Sequence, residues 1–282
     1  MVGHGRNRRR LATRPVKVVG VTYATPAFEP YAQLLAATAA RFGVPDFVIR
    51  RPGDLPEAFR QAHRSILDEP RGAGYWLWKP WAIVDRLAQL DEGDVVLWID
   101  AAAHFTGPVE RITDVIEHHG LDVWLMGHGF RESEYTKRDA FVLLEMDRPD
   151  VAASPQRFAS CIGVRNTAAG RSLTAEFLAA ATDRRVISDD PNTCGLANHA
   201  DFIDHRHDQS ILSLLTKRSG IPVIDTGLVR DGLHAPGSHV INHTRRHVTP
   251  QAVLRHLLVH GLLSFEEARQ QFRTSPIATA PR

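Results

Sequence analysis

The run VVLWID, residues 95–100, constrains the fold more than any other stretch of the chain. Its apolar residues follow one another without alternation, so the segment needs cover on both faces, as a central strand of an α/β sheet has. It begins after the turn DEGD and ends on a carboxylate. Similar runs recur at VKVVGVTYA (16–24), DFVIR (46–50), DVWLMG (122–127), QRFASCIGVRN (156–166) and PVIDT (222–226). Helix-like segments lie between them: YAQLLAATAARFG (31–43), KPWAIVDRLAQL (79–90), VERITDVIEHHG (109–120), EYTKRDAFVLLEM (134–146) and RSLTAEFLAAATD (171–183). The first closes on a glycine suited to a helix C-cap, and the second places Pro80 in a first turn, where its missing N–H costs nothing. The alternation predicts an α/β fold, a mostly parallel Rossmann-like sheet flanked by helices. No repeat or linker divides it, so one domain is expected over 15–250. A disordered basic tail is expected at 1–14 and a helical or irregular extension at 251–282.

Composition narrows the class of function. With 43% hydrophobic and 23% charged residues and a net charge of +2, the chain reads as a soluble globular protein without a nucleic-acid footprint. No apolar run approaches the length of a membrane span. The basic stretch HGRNRRRLATR lacks the apolar centre of a secretory signal. Cys161 and Cys194 are far apart and form no CxxC, which favours a reducing, cytoplasmic setting.

Several residues carry chemical potential. Asp100 ends the strongest strand, and ligands of open α/β sheets bind at the carboxyl ends of strands. A carboxylate there can hold a divalent metal on a diphosphate or simply cap a turn. The residues after it, AAAHF, supply no second acid. Lys79 stands at a helix start in GYWLWKP, where its charge adds to a place already suited to anions. The neighbouring Trp76 and Trp78 suit core anchors better than a stacking pocket. FIDHRHDQSILSLL, from Phe202, is open to three readings: a metal pair of His205 and His207, an acid–base centre at Asp208, or a polar helix start capped by Asp208. An HxH hydrolase barrel is a poor fit, because too little chain follows His207. His243, in VINHTRRH, stands beside a basic piece, Arg245 to His247, late in the chain.

The blocks RGAGYWLWKPWAIVDRLAQLDEGDVVLWIDAAAHF, YTKRDAFVLLEMD, SDDPN and DFIDHRHDQSILSLLTKRSGI, in this order, resemble bacterial nucleotide-diphospho-sugar transferases of the glycosyltransferase-A fold, of the kind associated with polysaccharide synthesis. The resemblance spans about Gly72 to His243. It implies transfer of a sugar from a nucleotide-sugar donor to a saccharide or other hydroxyl acceptor, within a single glycosyltransferase-A-like domain. It places Thr22 and Tyr23 near the donor base and Asp100 at the diphosphate. It places Asp208 near the transferred sugar and the acceptor as the catalytic carboxylate, with His205, His207 and Gln209 beside the substrates. Asp100 and His243 become ligands of a divalent metal, Mn or Mg. The departure is DAAA where the family carries a full DxD, and Lys79 is expected to help neutralise the leaving diphosphate. A non-catalytic nucleotide-sugar-binding protein is the alternative that this departure suggests.

Overall fold

The computed structural model describes Arg14, residues 16–244 and residues 248–271. Most of the expected basic tail, and the basic residues 245–247, lie outside the described residues. Arg14 at the tail's end pairs with Asp94 at 2.6 Å. The chain folds as an α/β domain around a five-stranded sheet of order β2-β1-β3-β6-β5. Its strands are β1 (Val18–Tyr23), β2 (Phe47–Arg50), β3 (Val95–Ile99), β5 (Val123–Arg131) and β6 (Pro155–Arg165). A small second sheet joins β4 (Ala103–Phe105), β8 (Ile241–His243) and β7 (Val229–Asp231).

The large sheet is mixed. β1 pairs parallel with β2 and β3, whereas β6 runs antiparallel to both β3 and β5. Four strands therefore share one direction and β6 opposes them.

The unbroken apolar run of β3 is explained by its two covered faces. Val96 and Trp98 pack toward α2 (Trp78–Leu87), α4 (Ala168–Ala181) and α5 (His207–Arg218). Val95, Leu97 and Ile99 pack toward α1 (Glu29–Arg41) and α3 (Glu110–His118). Each such buried side chain contributes about 1.5–3 kcal/mol. Close approach between strands also selects residues here, since a Cβ on Gly20 would lie 2.1 Å from the Phe47 ring.

From β1 the chain turns toward β2, and from β3 it turns toward the β6–β5 side. The sheet thus changes direction between β1 and β3, the position at which such sheets open a ligand crevice beyond their carboxyl ends.

Two local expectations need correction. The segment 134–146 is not one helix: Glu132–Tyr135 and Arg138–Leu143 are separate turns, with Lys137 extended between them. The break is held by Lys137, whose backbone N–H donates to His205 Nδ1 and whose ammonium donates to the Asp190 carbonyl at 2.7 Å. Residues 222–226 pair with no strand, and β7 forms further on, at Val229–Asp231. In the C-terminal stretch, α6 (Pro250–Val259) and α7 (Phe265–Gln271) are helical. Among the described residues no helix is long and apolar enough to cross a membrane.

Candidate active site

The crevice gathers side chains from four elements. Asp100 directly follows β3, and its backbone N–H donates to Ser160 O on β6 at 2.8 Å. Lys79 lies in the first turn of α2 and Asp208 in the first turn of α5. The Lys79 ammonium is buried 2.6 Å from Asp208 Oδ2 and 3.2 Å from Asp100 Oδ1, and it donates to the Ala159 carbonyl at 3.2 Å. Its contact with Asp208 is the closest of the three, a buried ion pair. The Trp98 indole lies beneath, with its ring centre 5.5 Å from the ammonium and its N–H donating to Asp100 Oδ1 at 2.9 Å.

One cation thus serves two carboxylates. Burial opposes the charge on Lys79, but Asp100 and then Asp208 outweigh it and hold the ammonium's pKa above its ordinary value. Asp208 bears the deficit. Burial pushes its carboxyl up, Lys79 pulls it down, Asp100 pushes it up again, and the balance falls at about 6.

The cap reading of Asp208 does not hold. The N-cap of α5 is Arg206, no side chain caps this end, and Asp208 is the second residue of the helix. A carboxylate in that first turn is favoured by the helix dipole. Beside it, Gln209 donates to Gln156 Oε1 at 2.6 Å, and Gln156 in turn donates to Ser210 Oγ, so β6 pins the first turn of α5.

Lys79 does not stand where it could meet a phosphate with a spare donor. Three acceptors already surround its ammonium and its side chain is 3% exposed, so it positions the two carboxylates instead.

His205 and His207 are not an open metal pair. His205 Nε2 meets Val186 O at 2.9 Å while its Nδ1 accepts from Lys137, and His207 Nδ1 meets Ile187 O at 2.7 Å. Burial holds both imidazoles below their ordinary pKa. Their rings form the wall behind Asp208, with His207 stacked on Tyr75 and Trp76 at 4.8 and 5.3 Å.

That wall has an unusual backbone. Ala73, Tyr75, Trp76 and His207 all have positive φ, from 44° to 61°. Gly74 between them has φ +98°, and a Cβ there would sit 2.8 Å from the Leu67 backbone.

Thr22 and Tyr23 end β1 beside this crevice, but both are buried. Tyr23 stacks on Trp78 at 4.1 Å, and burial followed by Asp54 raises its hydroxyl to about 12. Thr22 Oγ1 has no hydrogen-bond partner. Trp78 belongs to the core, as its residue type suggested.

On the far side, His243 Nε2 lies 4.0 Å from Asp100 Oδ2, and its Nδ1 lies 3.3 Å from Asp231 Oδ1 on β7. Asp231 and Trp98 were not among the residues singled out from sequence. VRDG reads as an ordinary turn, and a tryptophan inside a strand reads as core.

The donor set can be tested against a divalent ion. An oxygen of Asp100 and a nitrogen of His243, 4.0 Å apart, can share one cation at ordinary bond lengths of about 2.0–2.2 Å. Asp231 behind the imidazole would fix its orientation, as an outer-shell carboxylate does. No cluster of three or more metal-ligating side chains occurs among the described residues, so substrate oxygens and water would have to complete the coordination.

No protein-family model matches the chain, and no curated protein matches it. The solved structures to which it is similar include three glycosyltransferases. The galactosyltransferase LgtC in complex with donor and acceptor sugar analogues has 14% identity and a TM-score of 0.48, covering 90% of this chain and 99% of that one. Mouse xyloside xylosyltransferase 1 has 10% identity and a TM-score of 0.47, covering 82% and 98%. The bifunctional glycosyltransferase WbbM has 12% identity and a TM-score of 0.46, covering 77% of this chain and 40% of its own.

Proposed function

We propose that the chain transfers a sugar from a nucleotide-diphosphate-sugar donor to a hydroxyl acceptor. The observation that carries this reading is the buried lysine shared by two carboxylates, set where the sheet changes direction. Of the two acids, Asp100 is part-exposed toward the crevice, and burial pushes the Asp208 carboxyl up to about 6.

Asp100 faces the donor diphosphate, and with His243 it would hold a divalent cation. When bound, that cation supplies positive charge to the departing diphosphate. Asp208 faces the transferred sugar and the acceptor. The bond from the anomeric carbon to the diphosphate oxygen breaks, and its electron pair leaves with the nucleoside diphosphate. A new bond forms to the acceptor oxygen, whose proton passes to Asp208. A carboxyl near 6 suits that task, because it is ionised at neutral pH yet still basic enough to accept a proton. Lys79 positions both acids and keeps them apart in charge.

The test is release of nucleoside diphosphate from a panel of nucleotide sugars, with and without manganese, by wild type and Asp100→Asn. At least one donor should turn over, and the variant should lose at least about a hundredfold. Absence of turnover and of binding across the panel would refute the reading, and full activity in the variant would remove Asp100 from the site.

A further inference from the structure

The helix α6 closes on the sequence HLLVH, which sets His256 and His260 four residues apart. Residues at that spacing are neighbours on one helical face. Their ring centres lie 4.5 Å apart, with the planes inclined at 57°. Two imidazoles that share one tetrahedral ion, each bound at about 2.0–2.1 Å, have ring centres about 5 Å apart. The pair thus needs only a small side-chain rotation to meet across a cation. His256 is half-buried, and His260, the residue that ends the helix, is exposed.

The hydrogen bonding of His256 leaves one nitrogen available for this. Its Nε2 lies 3.1 Å from the His234 carbonyl, which can only accept, so Nε2 carries the hydrogen and Nδ1 keeps the lone pair. An imidazole that donates one N–H to a backbone carbonyl and keeps the other nitrogen bare is the arrangement that orients metal-bound histidines. Burial and then His260 hold the His256 imidazole below its ordinary pKa, which favours the neutral, ligating form. The same His234 carbonyl accepts from Asn242 Nδ2 of β8 at 2.8 Å, and His234 Nε2 meets the Asp231 carbonyl at 2.7 Å. One link therefore joins α6 to both β7 and β8, the strands that carry Asp231 and His243.

We infer that His256 and His260 form a site for a transition-metal ion, zinc or copper, which staples α6 to the small sheet. Imidazole nitrogens suit zinc and copper, whereas magnesium and manganese prefer oxygen. The ion is thus of a different class from one held by Asp100 on a diphosphate, and the inference does not depend on the glycosyltransferase reading. Water completes its shell, since no group of three or more metal-ligating side chains occurs among the described residues. A cation on Nδ1 polarises the ring and strengthens the bond from Nε2 to the His234 carbonyl. Occupancy therefore firms the link from α6 to β7 and β8.

The probes are zinc, copper and manganese chlorides, added to a parent protein that carries Asp100→Asn so that the crevice does not compete. Zinc binding is measured by calorimetry, copper ligation by electron paramagnetic resonance and stability by melting curves. His260→Ala should weaken the tightest zinc equivalent at least about tenfold, no less than the loss of an outer-shell partner costs. Copper should couple to two imidazole nitrogens in the parent and to one in His260→Ala. Zinc should raise the melting temperature of the parent more than that of His260→Ala, and manganese should not distinguish them. The control is His118→Ala, which removes half of another exposed pair, His118 and His119 at 4.7 Å, and should leave the zinc affinity unchanged. Equal zinc affinity in the parent and His260→Ala, a tight site lost in His118→Ala instead, or no zinc binding at all would overturn the inference.

Discussion

Two buried clusters of titratable groups meet at β8 and handle charge in opposite ways. His243 points toward Asp100, where a lysine lies between two acids. The adjacent Asn242 points the other way, where its amide meets the ring of His104 at 3.3 Å. His104 is fully buried, with His256 of α6 at 5.6 Å and His239 also nearby. Burial, then His256, then His239 push the His104 imidazole down to about 3. Lys79 is buried as deeply yet keeps its charge, because its neighbours are carboxylates. Depth is the same in both places, and the partners decide what ionises.

Removing the shared cation should break that contrast most severely. Lys79→Met leaves Asp100 and Asp208 facing each other with nothing between them. The expected cost is about 3–5 kcal/mol of unfolding free energy, read from denaturant curves. Adding Asp208→Asn should return part of it, because one of the two uncompensated acids is then gone. A Lys79→Met protein as stable as wild type would mean that the ion cluster does not hold the crevice together.

The acid side of the contrast is sharpened by a pH–rate profile. Asp208 must be ionised to accept a proton, so turnover should fall below about pH 6, approaching tenfold per unit. Asp208→Asn should keep at most about 1% of the rate and lose that limb. A wild-type rate flat from pH 7 to 5 would remove Asp208 from proton transfer.

The smallest effect concerns the histidine cluster. The folded pKa of His104, about 3, lies below the unfolded value of 6.5. The unfolded chain therefore takes up the proton first. Stability is intact above 6.5 and is lost as pH falls from there toward 3, by up to about 1.4 kcal/mol per unit. Between pH 7 and 5, wild type should lose about 2 kcal/mol more than His104→Gln. Parallel pH dependence in the two proteins would show that His104 is not the group responsible.

Much of the fold was legible because periodicity is local. Val95–Ile99 could be read as a doubly covered strand from its own residues, and so could most of the alternating helices. The exceptions were set by distant contacts. Nothing within 134–146 announces the break at Lys137, which depends on His205 and on Asp190. The reversed β6 has the same composition as a parallel strand. In the site, Asp100, Lys79, Asp208 and His243 each stood out as single residues, but their mutual geometry did not. Whether an aspartate caps a helix or shares a buried lysine depends on what another element brings to it, and Asp208 looked the same in both cases. Asp231 was illegible for the same reason, since only the pairing of β7 with β8 sets it against His243.

The left-handed residues behind Asp208 carry a consequence for any attempt to toughen this protein. Ala73, Tyr75, Trp76 and His207 each hold a conformation that costs about 1–3 kcal/mol where a side chain is present. Glycine at Ala73 would release that tension and ought to raise the melting temperature. The same relaxation would let Tyr75 and Trp76 drift from His207 and loosen the wall that sets Lys79 against its two acids. A search for hardier variants would therefore select Ala73→Gly early and find it sluggish: the site borrows its rigidity from a backbone that the rest of the fold keeps under load.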